Sequence, residues 1–123
     1  MVGDGQEIRS YRDLRVWREA MSLAVAAYKF SSSLPSDERF GLISQIRRAA
    51  ASVPANIAEG YGRESEGAYV QLLRIGQGSL KELETHLLLT EAVDLTNSTA
   101  IEPLISQCDT VGRMLHGLIR SVE

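Results

Sequence analysis

The chain has 123 residues, a net charge of -3, a single cysteine and three prolines, and 44% of it is hydrophobic. That length suits one domain able to bury a core without staples. Cys108 alone excludes an intramolecular disulfide, and no window approaches the roughly 18 apolar residues that a membrane span needs.

The scarcity of period-2 alternation and the absence of an Asn-Gly hairpin signal argue against a sheet, so the chain reads as all-α. Its charge is uneven. Residues 1–64 carry nine Lys or Arg against eight Asp or Glu, whereas residues 65–123 carry four against eight. Any basic surface is therefore local and belongs to the first half.

The opening MVGDGQEIRS has neither a basic leader nor an apolar run, which predicts a flexible arm over residues 1–10 and a cytoplasmic protein. Ser10 or Asp13 is available to cap the first helix. That helix is predicted from about Tyr11 to Ser33, and its apolar residues fall in two adjacent stripes. Leu14, Trp17, Met21, Val25 and Tyr28 make one; Val16, Ala20, Leu23, Ala27 and Phe30 make the other. Only about a third of the circumference stays polar, with Arg12, Arg15, Arg18 and Lys29 dominating it. The apolar arc is roughly twice what a helix of a simple monomeric bundle needs. Either the helix is central in the molecule, or the second stripe packs on another subunit; the second account is preferred, because exposed apolar patches mark interaction sites. Val16, Ala20, Leu23, Ala27 and Phe30 are thus the expected oligomer contacts.

Ser31 to Ser33 and Pro35 close that helix, and Ser36 is expected to cap the next, with Asp37 and Glu38 favourably placed in its first turn. In the second helix Leu42, Ile43, Ile46, Ala49, Ala50, Val53 and Ile57 share one face and make a core stripe. Pro54 removes a backbone bond at a cost of about 3 kcal/mol in an ordinary helix interior, so a bend or short break is expected there. On the far side Gln45, Arg48, Ser52, Asn56 and Glu59 form a polar stripe. It is read either as a network between helices or subunits or as a ligand surface, the network being favoured because donors and acceptors are mixed.

After the glycines of GYGRESEG, a third helix is predicted over Ser65 to Ala92. Tyr69, Leu73, Gly76, Leu80, Leu83, Leu87 and Thr90 step by four and three, the seam of a left-handed bundle. Thr96 or Asn97 should cap a fourth helix, where Ile101, Ile105, Cys108, Gly112, Leu115, Ile119 and Val122 repeat the stepping, widened by Leu104, Val111 and Leu118. Gly76 and Gly112 forgo about 1 kcal/mol of helix propensity each, which suggests close helix approach. The fold class that results is an up-down-up-down antiparallel four-helix bundle over residues 11–123.

Catalytic signatures are weak throughout. Cys108 sits in a seam, as a small buried hydrophobe would. His86 and His116 have no partner at metal-ligand spacing, and GYGRESEG fits neither phosphate-binding pattern. No catalytic residue, cofactor, metal, membrane or small-molecule substrate is expected. The arginines Arg12, Arg15, Arg18, Arg47, Arg48 and Arg63 are the candidate nucleic-acid contacts, although a pI near 5.4 is far from the basic balance common in such domains.

Three stretches, YRDLRVWREA at 11–20, FGLISQIRRAAASVPANIAEGYGR at 40–63 and LLRIGQGSLKELETHLLL at 72–89, resemble the proteins encoded in bacterial 23S rRNA intervening sequences, also labelled S23 ribosomal proteins. The run from Ser52 to Gly60 carries the most specific part of the likeness. The resemblance implies a four-helix bundle assembling as a homopentameric ring without known enzymatic activity. A related branch is similar to the accessory variability determinant of diversity-generating retroelements, a basic pentamer that binds reverse transcriptase and nucleic acid. The expected function is a non-enzymatic homo-oligomeric scaffold whose partner is itself. The alternative is an accessory protein that binds RNA or a nucleic-acid-handling protein.

Overall fold

The computed structural model describes residues 7–123. Four helices, α1 (Arg15–Ser31), α2 (Leu42–Tyr61), α3 (Glu66–Ala92) and α4 (Ser98–Val122), follow one another with short connections, and two three-residue 3-10 turns precede α1 and α2. Each helix packs on two neighbours in the cyclic order α1, α2, α3, α4, and the diagonal pairs make no close backbone approach among the described residues. This is the expected all-α four-helix bundle.

The expected arm over 1–10 lies mostly outside the described residues, and its last residues are tied to the turn before α1. Asp13 Oδ2 accepts the backbone N–H groups of Arg9 at 2.8 Å and Ser10 at 3.2 Å, while Ser10 Oγ accepts that of Arg12 at 3.2 Å. The Arg9 and then the Ser10 bond stabilise the ionised carboxylate and hold Asp13 below the ordinary carboxylate range. These bonds close a short turn over Tyr11–Asp13, after which Leu14 is extended. The first helix is therefore shorter than the expected Tyr11–Ser33 and begins only at Arg15.

The start of α2 also differs from expectation. Ser36 opens a separate 3-10 turn and makes no side-chain cap. Gly41 is the residue before α2 and has no side chain to offer; Glu38 Oε1 takes over, accepting the Leu42 N–H at 3.3 Å. Carboxylate at a helix N-terminus also meets the positive end of the dipole. The helix then continues without a break through Pro54, which is itself buried, and buries Ile43, Ile46, Ala49, Ala50, Val53 and Ile57 as the periodicity requires.

The seam of α3 is buried from Leu73 to Thr90, and α4 buries Ile101, Cys108, Leu115 and Ile119 of its seam with Leu104 and Val111, while Ile105, Gly112 and Val122 are half-buried. Leu73, Leu80, Leu83 and Leu87 from α3 meet Leu104, Cys108, Val111, Leu115 and Ile119 from α4 in one core. Ser65 caps α3 and Asn97 caps α4, each accepting a backbone N–H three residues on. The end of α3 is closed by two reversed backbone bonds, Leu95 N–H to Thr90 O at 2.9 Å and Asp94 N–H to Glu91 O at 3.0 Å. This arrangement places Asp94 in the left-handed region, φ 63°, where glycine is usual.

Close approach of helices falls at another glycine than expected. A Cβ on Gly76 would meet Asn56 Cβ at 3.6 Å and one on Gly112 would meet Leu80 at 3.4 Å, ordinary contacts, whereas on Gly60 it would stand 2.9 Å from the Tyr69 ring and 3.3 Å from the Tyr69 carbonyl. At Gly60, in the last turn of α2, a side chain would collide with α3, which it would not do at Gly76. Tyr69 lies there edge-on to Tyr61, ring centroids 6.2 Å apart. Burial, and then the neighbouring Tyr61, raise the Tyr69 phenol above its ordinary value.

Candidate functional site

An apolar groove is made by the side of α1 that the core does not use. Of its two apolar stripes, the one inside the molecule is the one expected to meet another subunit. Ala20 and Ala27 are 0% exposed and Leu23 1%, Val16 is also buried, and Phe30 is partly buried against the same core. Val16, Ala20, Leu23 and Ala27 are spent within the chain and are not available as oligomer contacts, and Phe30 keeps only part of its surface in solvent. Their small members let α1 lie close to its neighbours, which the bulky alternative stripe would not permit.

Of the other stripe, Leu14 and Trp17 are half-buried against the core and the remaining three are left outside. Met21 is 39% exposed, Val25 48% and Tyr28 44%. With Trp17 and Tyr11 they form one wall of a groove between α1 and α2, whose floor is Ala24 from α1 and Ala51, Pro54, Ala55 and Ala58 from α2. The groove encloses about 670 Å³ and only Lys29 adds a charge to its lining. Its ends are held by ring contacts. Tyr11 stands edge-on to Trp17 at 5.2 Å, and the Arg47 guanidinium lies over Tyr28 at 5.2 Å, an arrangement that holds both the ring and the cation in place.

The arginines expected to bind nucleic acid are not brought together. Arg47 Nε donates to Ser31 Oγ at 2.8 Å and its terminal nitrogen to Ser32 Oγ at 3.2 Å, so it ties the end of α1 to α2. Arg63 pairs with Glu59, and Arg12 lies over the Tyr11 ring. Arg15 and Arg18 stand in the first turn of α1, at the end of the helix opposite Ser31 and Arg47; with a rise of 1.5 Å per residue the two ends are about 24 Å apart. Arg48 is exposed on α2. The six make no single patch.

The polar stripe of α2 divides as well. Ser52 Oγ and Ser79 Oγ of α3 are 2.7 Å apart, and Asn56 Nδ2 donates to Ser52 O at 2.8 Å and to Ser52 Oγ at 2.9 Å. This is a network between helices, half-buried over the core, and it satisfies a buried hydroxyl that would otherwise be costly. Gln45, Arg48 and Glu59 lie on the exposed parts of the same stripe.

A second recess, about 640 Å³, opens between α3 and α4 beside Cys108 and His116. Its charges are paired off, Arg113 with Asp109 and Lys81 with Glu84. Cys108 is buried, and that burial, with Glu84 nearby, pushes its thiol up to about 12, which leaves it protonated and a poor nucleophile at neutral pH. Among the described residues no group of three His, Cys, Asp or Glu side chains is placed to hold a metal ion, and no helix is long and apolar enough to cross a membrane.

Sequence reasoning found α1's excess of apolar surface and missed the groove floor. The signal was present in Ala51, Ala55 and Ala58, alanines at helical spacing on a face of α2 that was not counted as core. An alanine row beside a stripe of large residues is a groove in the making.

Fold and surface together define a small four-helix bundle with an uncovered apolar channel along one side. The model of the 23S rRNA-intervening sequence protein family matches residues 12–117, and the chain belongs to that family. Among solved structures it is similar to a crystal structure of a protein of unknown function from the S23 ribosomal protein family of Bacteroides thetaiotaomicron VPI-5482. The TM-score is 0.79 at 22% identity, over 85% of this chain and 97% of that one. At that identity the likeness speaks for the fold. No curated protein matches the chain.

Proposed function

We propose that the protein is a non-enzymatic homo-oligomeric scaffold or adaptor of the cytoplasm, assembled through the α1–α2 groove into the ring of five that the family resemblance implies. The observation that carries this reading is the exposure of Met21, Val25 and Tyr28 beside an alanine floor. Leaving such a surface in water forgoes roughly 25 cal/mol for every Å² that could be covered, and contiguous apolar patches of this kind mark binding sites on soluble proteins. Small-molecule sites combine an apolar wall with a few convergent polar groups that orient the ligand. Here Lys29 alone could do so, which favours a protein surface as occupant. The separation of the six arginines weighs against RNA as the primary partner. Light-scattering mass at micromolar concentration tests the reading: an oligomer supports it, and a monomer removes it.

A further inference from the structure

The far corner of the molecule carries a second uncovered apolar feature. Along the solvent-facing pole of α3, Ile75, Gly78, Glu82, Thr85 and Leu89 recur at helical spacing and all are exposed. Ile75 is 48% exposed and Leu89 42%, and a Cβ at Gly78 would meet nothing within 4 Å. The result is a ridge of two aliphatic knobs with small residues between them and one charge, Glu82, midway. Because α1 and α3 are diagonal in the bundle, this ridge points away from the groove of its own chain.

We infer that the α1–α2 groove of one copy is filled by the α3 ridge of a second copy, a head-to-tail contact resting on the homo-oligomeric reading above. The shapes correspond. From Trp17 to Tyr28 the groove wall runs about 16 Å and from Ile75 to Leu89 the ridge runs about 21 Å, at 1.5 Å per residue. An alanine floor admits a neighbouring helix closely, and Gly78 and Thr85 keep the ridge narrow between its knobs. The charges correspond too. Lys29 lies in the groove lining and Arg48 is exposed on α2 beyond its alanine floor, whereas the ridge presents Glu82, and the basic residues beside it, Arg74 and Lys81, are paired with Glu123 and Glu84. A groove-to-groove pairing would set concave against concave and bring no acidic residue of the lining to Lys29. Two different patches per chain make a heterologous contact, which propagates until it closes as a ring.

Complementation tests it. Val25→Asp damages only the groove and Ile75→Asp only the ridge; both positions face solvent in the monomer, and retained helicity by circular dichroism confirms folding. Each variant alone is expected to be monomeric. Mixed in equal amounts at high concentration, the two should give a species of twice the monomer mass and nothing larger, because one intact groove and one intact ridge remain. Glu82→Lys, at a position folding does not use, should raise the concentration of half-assembly by about tenfold. An Ile75→Asp protein that keeps the wild-type mass overturns the inference while leaving the oligomer reading intact. So does a mixture that stays monomeric while Glu82→Lys assembles like wild type. A monomeric wild type overturns both.

Discussion

The α3–α4 half and the α1–α2 half of the bundle differ in how they use their apolar residues. In α3 one seam steps by four and three and is buried from Leu73 to Thr90, and in α4 Ile101, Cys108, Leu115 and Ile119 of the seam are buried together with Leu104 and Val111 beside it. In α1 two seams lie side by side; the one with Ala20, Leu23 and Ala27 is buried, while Met21, Val25 and Tyr28 remain outside. A helix with one stripe names its inside. A helix with two leaves the choice to its neighbours, and here the closer-packing, smaller stripe faces in.

The strongest way to sharpen that contrast is truncation on each side. Leu83, fully buried in the α3 seam, should lose about 2–5 kcal/mol on replacement by alanine. Met21→Ala, on the groove wall, should change monomer stability by about 0.5 kcal/mol or less. Chemical denaturation of both variants, in conditions where the chain is monomeric, reads the difference; similar losses would mean that the groove wall is core.

Next in size are the glycines. Gly60→Ala drives a methyl against the Tyr69 ring and backbone and should cost about 1–3 kcal/mol. Gly76→Ala meets only ordinary contacts and should keep most of the gain in helix propensity, about 1 kcal/mol. A loss at Gly76 with a gain at Gly60 would show that the tight approach lies in the seam rather than at the end of α2. The smallest effect concerns the turn that leads into α4. Asp94→Gly relieves a left-handed backbone and should raise the melting temperature modestly, for a gain of about 1 kcal/mol; a drop in melting temperature would mean that the Asp94 side chain, rather than the backbone, closes α3.

Much of the fold was legible because its signals are local and redundant. The seams of α3 and α4 and the core face of α2 each repeat a period that the burial of apolar residues enforces, and the Asn97 cap needs only its own side chain and the N–H three residues on. What was not legible depended on contacts that spacing does not encode. Asp13 turns back onto Arg9 and Ser10, which ends the first turn early. Glu38, rather than Ser36, reaches the start of α2. Gly60 meets Tyr69 only once α2 and α3 are folded against each other.

The candidate site shows the same division. The middle of the polar stripe, Ser52 and Asn56, is bonded to α3 through Ser79, as its mixed donors and acceptors suggested. The inversion of the α1 stripes could not be read from spacing, since both repeat equally well. Size was the available clue. Alanines inside and Met21, Val25 and Tyr28 outside is the arrangement that lets the helices approach and still leaves a channel over Ala51, Ala55 and Ala58.

The central claim is that α1 buries the Ala20, Leu23 and Ala27 side and offers the Met21, Val25 and Tyr28 side to a partner. It is tested most directly by measuring helicity and light-scattering mass for Leu23→Asp and Val25→Asp together. The account predicts that Leu23→Asp loses its helical signal, because a charge is forced into a fully packed core, and that Val25→Asp stays helical while its mass falls to that of a monomer. A folded, dissociated Leu23→Asp beside an unfolded Val25→Asp would contradict it.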